Sequence, residues 1–156
     1  MKIRKAEKSD SALILSLIKG IAEYENMLDE VEATEERIEE WIFDKKCAEV
    51  LLGEYEGETV GFALFFHNFS TFVGKAGLYL EDIFIKPEFR GRGFGKKFLK
   101  RLAEIALERD CGRMDWVCLD WNEPSIKFYK SLGAEPLDEW TIYRLTEDKI
   151  KKLAEK

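Results

Sequence analysis

Residues 81–97 read E-D-I-F-I-K-P-E-F-R-G-R-G-F-G-K-K, and most of the chemistry that residue type and spacing can announce lies there. A strand-like apolar run stops at Pro87. Arg90-Gly91-Arg92-Gly93-Phe94-Gly95 then opens a long helical pattern. The first turn of a helix has main-chain N–H groups without intrahelical partners and a partial positive charge, so it attracts an anion. Glycines at 91, 93 and 95 let the backbone close around that anion, because no Cβ stands in the way. Arg90, Arg92, Lys96 and Lys97 bring four cations to one place on a chain of net charge −6. A bound diphosphate accounts for that concentration of positive charge. Two other phosphate loops do not fit. G-x-x-x-x-G-K-[ST] needs a hydroxyl after its lysine, and Phe98 follows Lys97. The dinucleotide fingerprint needs G-x-G-x-x-G, whereas these glycines alternate.

Composition bounds what surrounds this loop. A chain of 156 residues, 46% hydrophobic and 13% aromatic, is expected to form a single domain over 1–156 that needs no disulfide or metal. Its net negative charge argues against a nucleic-acid partner. Cys47, Cys111 and Cys118 are odd in number and form no C-x-x-C pair, which leaves no zinc knuckle and fits a reducing compartment. His67 alone cannot build a multi-histidine metal site and reads as structural. No stretch approaches membrane-spanning length, and the start lacks the apolar core of a secretion signal. The expectation is a cytoplasmic protein with no metal and no membrane contact.

The elements that position the loop follow from periodicity. Ile3–Glu7 reads as a strand, and Ser9 and Asp10 offer cap oxygens to a helix whose apolar face is Leu13, Ile14, Leu17, Ile18, Ile21 and Ala22. Glu25 to Glu32 is an acidic connection. Thr34 caps a second helix with Ile38, Trp41 and Ile42 turned inward. Ala48–Tyr55 and Thr59–Phe66 form a hairpin about Glu56-Gly57, and Leu78–Ile85 is a further strand. The helix from Gly93 to about Asp110 buries Phe94, Phe98, Leu99, Leu102, Ala103, Ile105 and Ala106. Arg113–Leu119 returns as a strand, Pro124 and Gly133 bracket a short helix over Ser125–Leu132, and Trp140–Leu145 reads as a last strand before a charged amphipathic tail. The order β-α-α-β-β-β-α-β-α-β implies an α/β (α+β) domain: a mixed sheet with helices on both faces.

Arg90, Gly93 and Gly95 give R-x-x-G-x-G, which resembles the pyrophosphate loop of the GCN5-related N-acetyltransferases (GNAT). Trp121-Asn122-Glu123-Pro124-Ser125-Ile126-Lys127-Phe128-Tyr129 through Gly133 resembles that family's N-x-x-[SA]-x-x-F-Y-x-x-x-G segment. Ile18-Lys19, Tyr24-Glu25, Leu78-Tyr79-Leu80-Glu81-Asp82, Phe89-Arg90-Gly91 and Trp140 are most similar to its diamine (spermidine/spermine) and thialysine acetyltransferase branch. Leu132 departs from relatives of the polyamine type, which can carry a basic residue before the glycine.

This resemblance implies the GNAT fold, with a mostly antiparallel twisted sheet splayed in the middle, and transfer of acetyl from acetyl-CoA to a primary amine of a small cationic substrate by direct attack. It implies that Ile83, Phe84, Ile85, Arg90, Gly91, Arg92, Gly93, Phe94, Gly95, Lys96, Asn122, Ser125 and Phe128 contact the coenzyme. Glu81 is then the catalytic carboxylate, relaying the proton of the amine, and Tyr129 the donor to the departing thiolate. Tyr24, Glu25 and Asp82 are implied as acceptor-binding residues, with Glu139 and Trp140 as weaker candidates. Asn122 reads equally well as a helix N-cap. Glu81 and Asp82 are strand neighbours, so a regular pleat sends them to opposite faces; either a bulge brings both to the cleft or one alone does chemistry. The resemblance further implies a homodimer. Two other readings fit the same residues: a protein or peptide N-acetyltransferase, and a non-catalytic acyl-CoA-binding module.

Overall fold

The computed structural model describes residues 1–155, and its first unit, residues 1–117, is built on a five-stranded sheet. Strands β1 (Lys2–Lys5), β2 (Glu49–Tyr55), β3 (Glu58–Ser70), β4 (Lys75–Ile85) and β5 (Met114–Trp116) lie side by side in that order. The first three pairings are antiparallel and the last is parallel. The mixed, mostly antiparallel sheet expected from the sequence is therefore present. The β2–β3 turn is Glu56-Gly57, both left-handed at φ 52° and 84°, which matches the twist of the strands it joins.

Alternation along β2 assigns its two faces. Val50 and Leu52 pack with Ile14 and Leu17 of α1 (Ser11–Tyr24), Ile38 of α2 (Glu35–Ile38), Phe62 and Phe84. Gly53 faces the other way: a Cβ there would lie 2.8 Å from the Phe98 ring of α3 (Phe94–Glu108). Helices thus cover both faces, α1 and α2 on one and α3 on the other. Phe62, Phe65, Phe98, Leu52, Leu80 and Leu102 are fully buried. Each such side chain stabilises the fold by roughly 1.5–3 kcal/mol before entropy is counted.

The second unit begins at Cys118 and holds α4 (Glu123–Ser131) and α5 (Glu147–Ala154). No strand forms over Trp140–Leu145, against expectation. Trp140 and Tyr143 are 74% and 92% exposed, so the alternating apolar residues that suggested a strand find no partner edge among the described residues. The strand expected over Arg113–Leu119 contracts to three residues.

Three smaller expectations also fail. Trp41 is 51% exposed, because the chain after Ile38 widens into a π-helical turn over Glu39–Asp44 that rotates it off the inner face; the Lys45 ammonium covers its ring at 3.7 Å. Ala103 lies on the wet side of α3. Asp10 does not cap α1 with its side chain, because Arg4 holds the carboxylate at 2.7 and 2.8 Å and the Glu7 N–H donates to it.

Candidate active site

The β3–β4 ladder changes phase at the residues that matter most. Phe65 pairs with Leu80 and Leu64 pairs with Asp82, so Glu81 is one extra residue without a cross-strand partner. The sequence left open whether a bulge occurs here, and one does. Below it Leu80 is paired with Phe65, which is fully buried; above it Asp82 lies opposite Leu64, on the face that α1 covers. Beyond the bulge β4 continues to Ile85, while the parallel ladder to β5 stops at Leu80–Trp116. Residues 81–85 of β4 therefore have no β5 partner, at the place where the resemblance implied a splay.

Three carboxylates gather where α1 ends. Tyr24 is the last residue of α1 and Glu25 caps it. Asp82 is half-buried, and burial, reinforced by the charges of Glu81 and Glu25, pushes its carboxyl up to about 6 from an ordinary 3.8. Burial also raises the Glu25 carboxyl. Glu81 itself is exposed. A proton is thus more firmly held at Asp82 than at an ordinary aspartate, and a cation entering the cluster would be attracted by all three groups.

A pocket of about 340 Å³ is lined by Leu17, Gly20, Glu23 and Tyr24 of α1, the last adjoining Glu25 in the chain, and by Phe84 and Lys86. Gly20 is required there because Phe84 packs directly on it: a Cβ would meet the ring at 2.9 Å.

The glycine loop begins immediately after β4. Gly91 and Gly93 both sit at φ 75°, a conformation other residues adopt only with strain, and Gly93 is the N-cap of α3. A Cβ at either position would meet nothing within 4 Å, so the space in front of the loop is open to a ligand. The N–H groups of Phe94, Gly95 and Lys96 head the helix without intrahelical partners. Arg92 stacks over Tyr55 and Phe89 at 5.8 and 5.5 Å, and Tyr55 packs on Phe94 at 5.1 Å, which fixes the loop to the end of β2. Arg90 donates from Nε to the Ile85 carbonyl at 2.9 Å. This donor set and open backbone fit a diphosphate such as that of coenzyme A. Phe84 and Phe94 are 6% and 5% exposed, so any contact they make with a coenzyme is through their main chain.

In the second unit, Asn122 is buried and accepts the Ser125 N–H at 3.4 Å, which makes it the cap of α4, the role its sequence position also allowed. Phe128 and Tyr129 are half-buried with ring centroids 5.5 Å apart. The Tyr129 carbonyl accepts the Leu132 and Ala134 N–H groups, closing the C-terminal end of the helix. Glu139 and Trp140 are exposed. Sequence reasoning missed the pocket wall formed by Glu23, Phe84 and Lys86; Gly20 inside an apolar helix face was the only local sign of a close approach.

Comparison with known proteins identifies the family. The acetyltransferase (GNAT) family matches residues 16–134. Thialysine N-epsilon-acetyltransferase of Bos taurus is 39% identical, over 99% of this chain and 97% of its own length. Spermidine/spermine N(1)-acetyltransferase-like protein 1 of Homo sapiens is 34% identical over 98% of this chain and 24% of its own. Among solved structures, an integron cassette protein from the mobile metagenome of V. cholerae superposes with a TM-score of 0.82 at 27% identity, covering 99% and 98% of the two chains. The chain belongs to the GNAT family, and it is an N-acetyltransferase.

Proposed function

We propose that this enzyme acetylates a primary amine of a small, multiply cationic acceptor, such as a diamine, a polyamine or thialysine, with acetyl-CoA as donor. The observation that carries this reading is the Glu25–Glu81–Asp82 cluster beside Tyr24, with the pKa of the Asp82 carboxyl pushed up to about 6 by burial and by its two neighbours. Such a cluster is relieved by a ligand with more than one positive charge. The names of the relatives, thialysine and spermidine/spermine acetyltransferases, support the same acceptor class.

Acetyl-CoA supplies an activated acyl thioester when bound. The chain's own residues do the rest. Main-chain N–H groups at 94–96, with Arg90, Arg92 and Lys96, hold the diphosphate. The free main-chain edge of Ile83–Ile85 aligns the extended arm, and an N–H there polarises the carbonyl. An alkyl amine has a pKa of about 10, so it arrives protonated; Glu81, exposed at the bulge, takes that proton directly or through water. Asp82 and Glu25 hold the remaining positive charge of the acceptor. Tyr129 gives a proton to the leaving thiolate.

The family match runs across residues 117 and 118, which supports 1–156 acting as one catalytic domain. We also infer a cytoplasmic homodimer. Three free cysteines fit a reducing compartment, and the solvent-exposed Leu137, Trp140, Ile142 and Tyr143 are an apolar surface suited to a second copy. No helix of the described residues is long and apolar enough to cross a membrane.

The test is thiol release from acetyl-CoA with spermidine, putrescine, thialysine, lysine and a lysine-containing peptide. Turnover with the first three at least tenfold above the peptide is expected. Preference for the peptide, or no release with any amine, refutes the reading.

A further inference from the structure

Arg90 does more than carry a charge. Its guanidinium lies over the Tyr24 ring at 4.5 Å and the Phe84 ring at 5.6 Å, while its Nε donates to the Ile85 carbonyl. Tyr24 and Phe84 are two walls of the 340 Å³ pocket, and Tyr24 adjoins Glu25 in the carboxylate cluster. The flat face of Arg90 is thus committed to Tyr24 and Phe84, and its Nε to the end of β4. Its two Nη groups make no hydrogen bond within the described residues, and Arg90 directly precedes Gly91 of the glycine loop.

We propose that Arg90 is a positioning residue that couples the two halves of the site: an anion held at residues 91–95 draws on its Nη edge, and the stacked face then fixes Tyr24 against the acceptor. Donor binding in this way organises the acceptor pocket before the amine arrives. The proposal rests on the anion-binding role given above to residues 90–96, and it goes beyond that role by assigning Arg90 an effect on acceptor affinity. Lysine cannot substitute, because an ammonium has neither the planar face nor the fork that lets one group serve both partners at once. The stack at this exposed place is worth about two- to fivefold in affinity.

The experiment uses the full chain with 3-fluorotyrosine incorporated and Tyr24→Phe to assign the Tyr24 fluorine resonance. Coenzyme A binding is followed by calorimetry in parallel. In the unaltered protein, coenzyme A is expected to bind and to shift the Tyr24 resonance. In Arg90→Lys it is expected to bind more weakly, by the retained charge and the helix start, yet at saturation to leave that resonance in place. Steady-state kinetics at saturating acetyl-CoA are expected to show acceptor KM raised about two- to fivefold in Arg90→Lys, and a smaller effect of Tyr24→Leu in that background than in the unaltered protein. A Tyr24 resonance that moves equally in both proteins, or that stays still while calorimetry shows coenzyme A bound, overturns the coupling alone. No heat of binding in the unaltered protein removes the anion-binding reading and the coupling with it.

Discussion

Replacing Asp82 with asparagine separates burial from charge in the carboxylate cluster. The Asp82 carboxyl is raised from 3.8 to about 6, first by burial and then by Glu81 and Glu25. The folded chain therefore holds that proton about a hundred times more tightly than the unfolded chain does, a difference of about 3 kcal/mol at roughly 1.36 kcal/mol per tenfold. The sign follows from proton binding: between pH 4 and 6 the folded state binds more protons, so the native protein loses stability as pH rises through that window. Asp82→Asn lacks this penalty. It is expected to be more stable than the native chain by about 2–3 kcal/mol at pH 8, or roughly 5–10 °C in Tm, and no more stable at pH 3.5. Urea melts of both proteins across pH 3.5–8, compared pairwise so that other titrations cancel, measure the difference. Spermidine at pH 8 should stabilise the native chain more than the variant, because a cation in the cluster cancels the same repulsion. A variant no more stable than the native protein at pH 8, or equally stabilised at both ends of the range, refutes the argument that burial and two like charges act on Asp82.

Tyr129→Phe is expected to lower kcat about a hundredfold in the thiol-release assay while calorimetric affinity for coenzyme A changes by less than about twofold. Gly93→Ala forces a Cβ onto a backbone at φ 75°; urea denaturation should show a loss of about 1–2 kcal/mol, accompanied by weaker coenzyme A binding. Glu49 behaves opposite to Asp82. Hydrogen bonds from Arg109 and Lys5 hold its carboxyl down at about 2, so its contribution is present above pH 4.5 and lost as pH falls toward 2. Its partners are partly exposed, which limits the effect; Glu49→Gln is expected to cost about 1 kcal/mol at pH 7 by chemical denaturation, a gap that closes near pH 2.

The frame that carries the site was legible where one local rule acted alone. Apolar spacing located α1 and α3, the Glu56-Gly57 pair located a hairpin, and alternating glycines before a helical run located the left-handed entry to α3. Failures came where two forces compete. Trp140–Leu145 has the alternation of a strand, but a strand exists only where an edge receives it, and strand preference depends on context. Trp41 sits at helical spacing from Ile38, yet one widened turn carries it into solvent. The bulge at Glu81 had no sequence signature, because two adjacent acids look the same whether the strand is pleated or slipped. The pocket was equally hidden, since its walls come from residues 16–24 and 84–87, which no local pattern links.

That unpaired place in β4 has an evolutionary reading. Most strand residues answer to an opposite neighbour, so exchanging one disturbs two. Residue 81 answers to none across the β3–β4 ladder, and its side chain stands in solvent at the rim of the carboxylates. The scaffold makes little demand on which side chain stands there, so selection can keep an acid at this position for its chemistry alone.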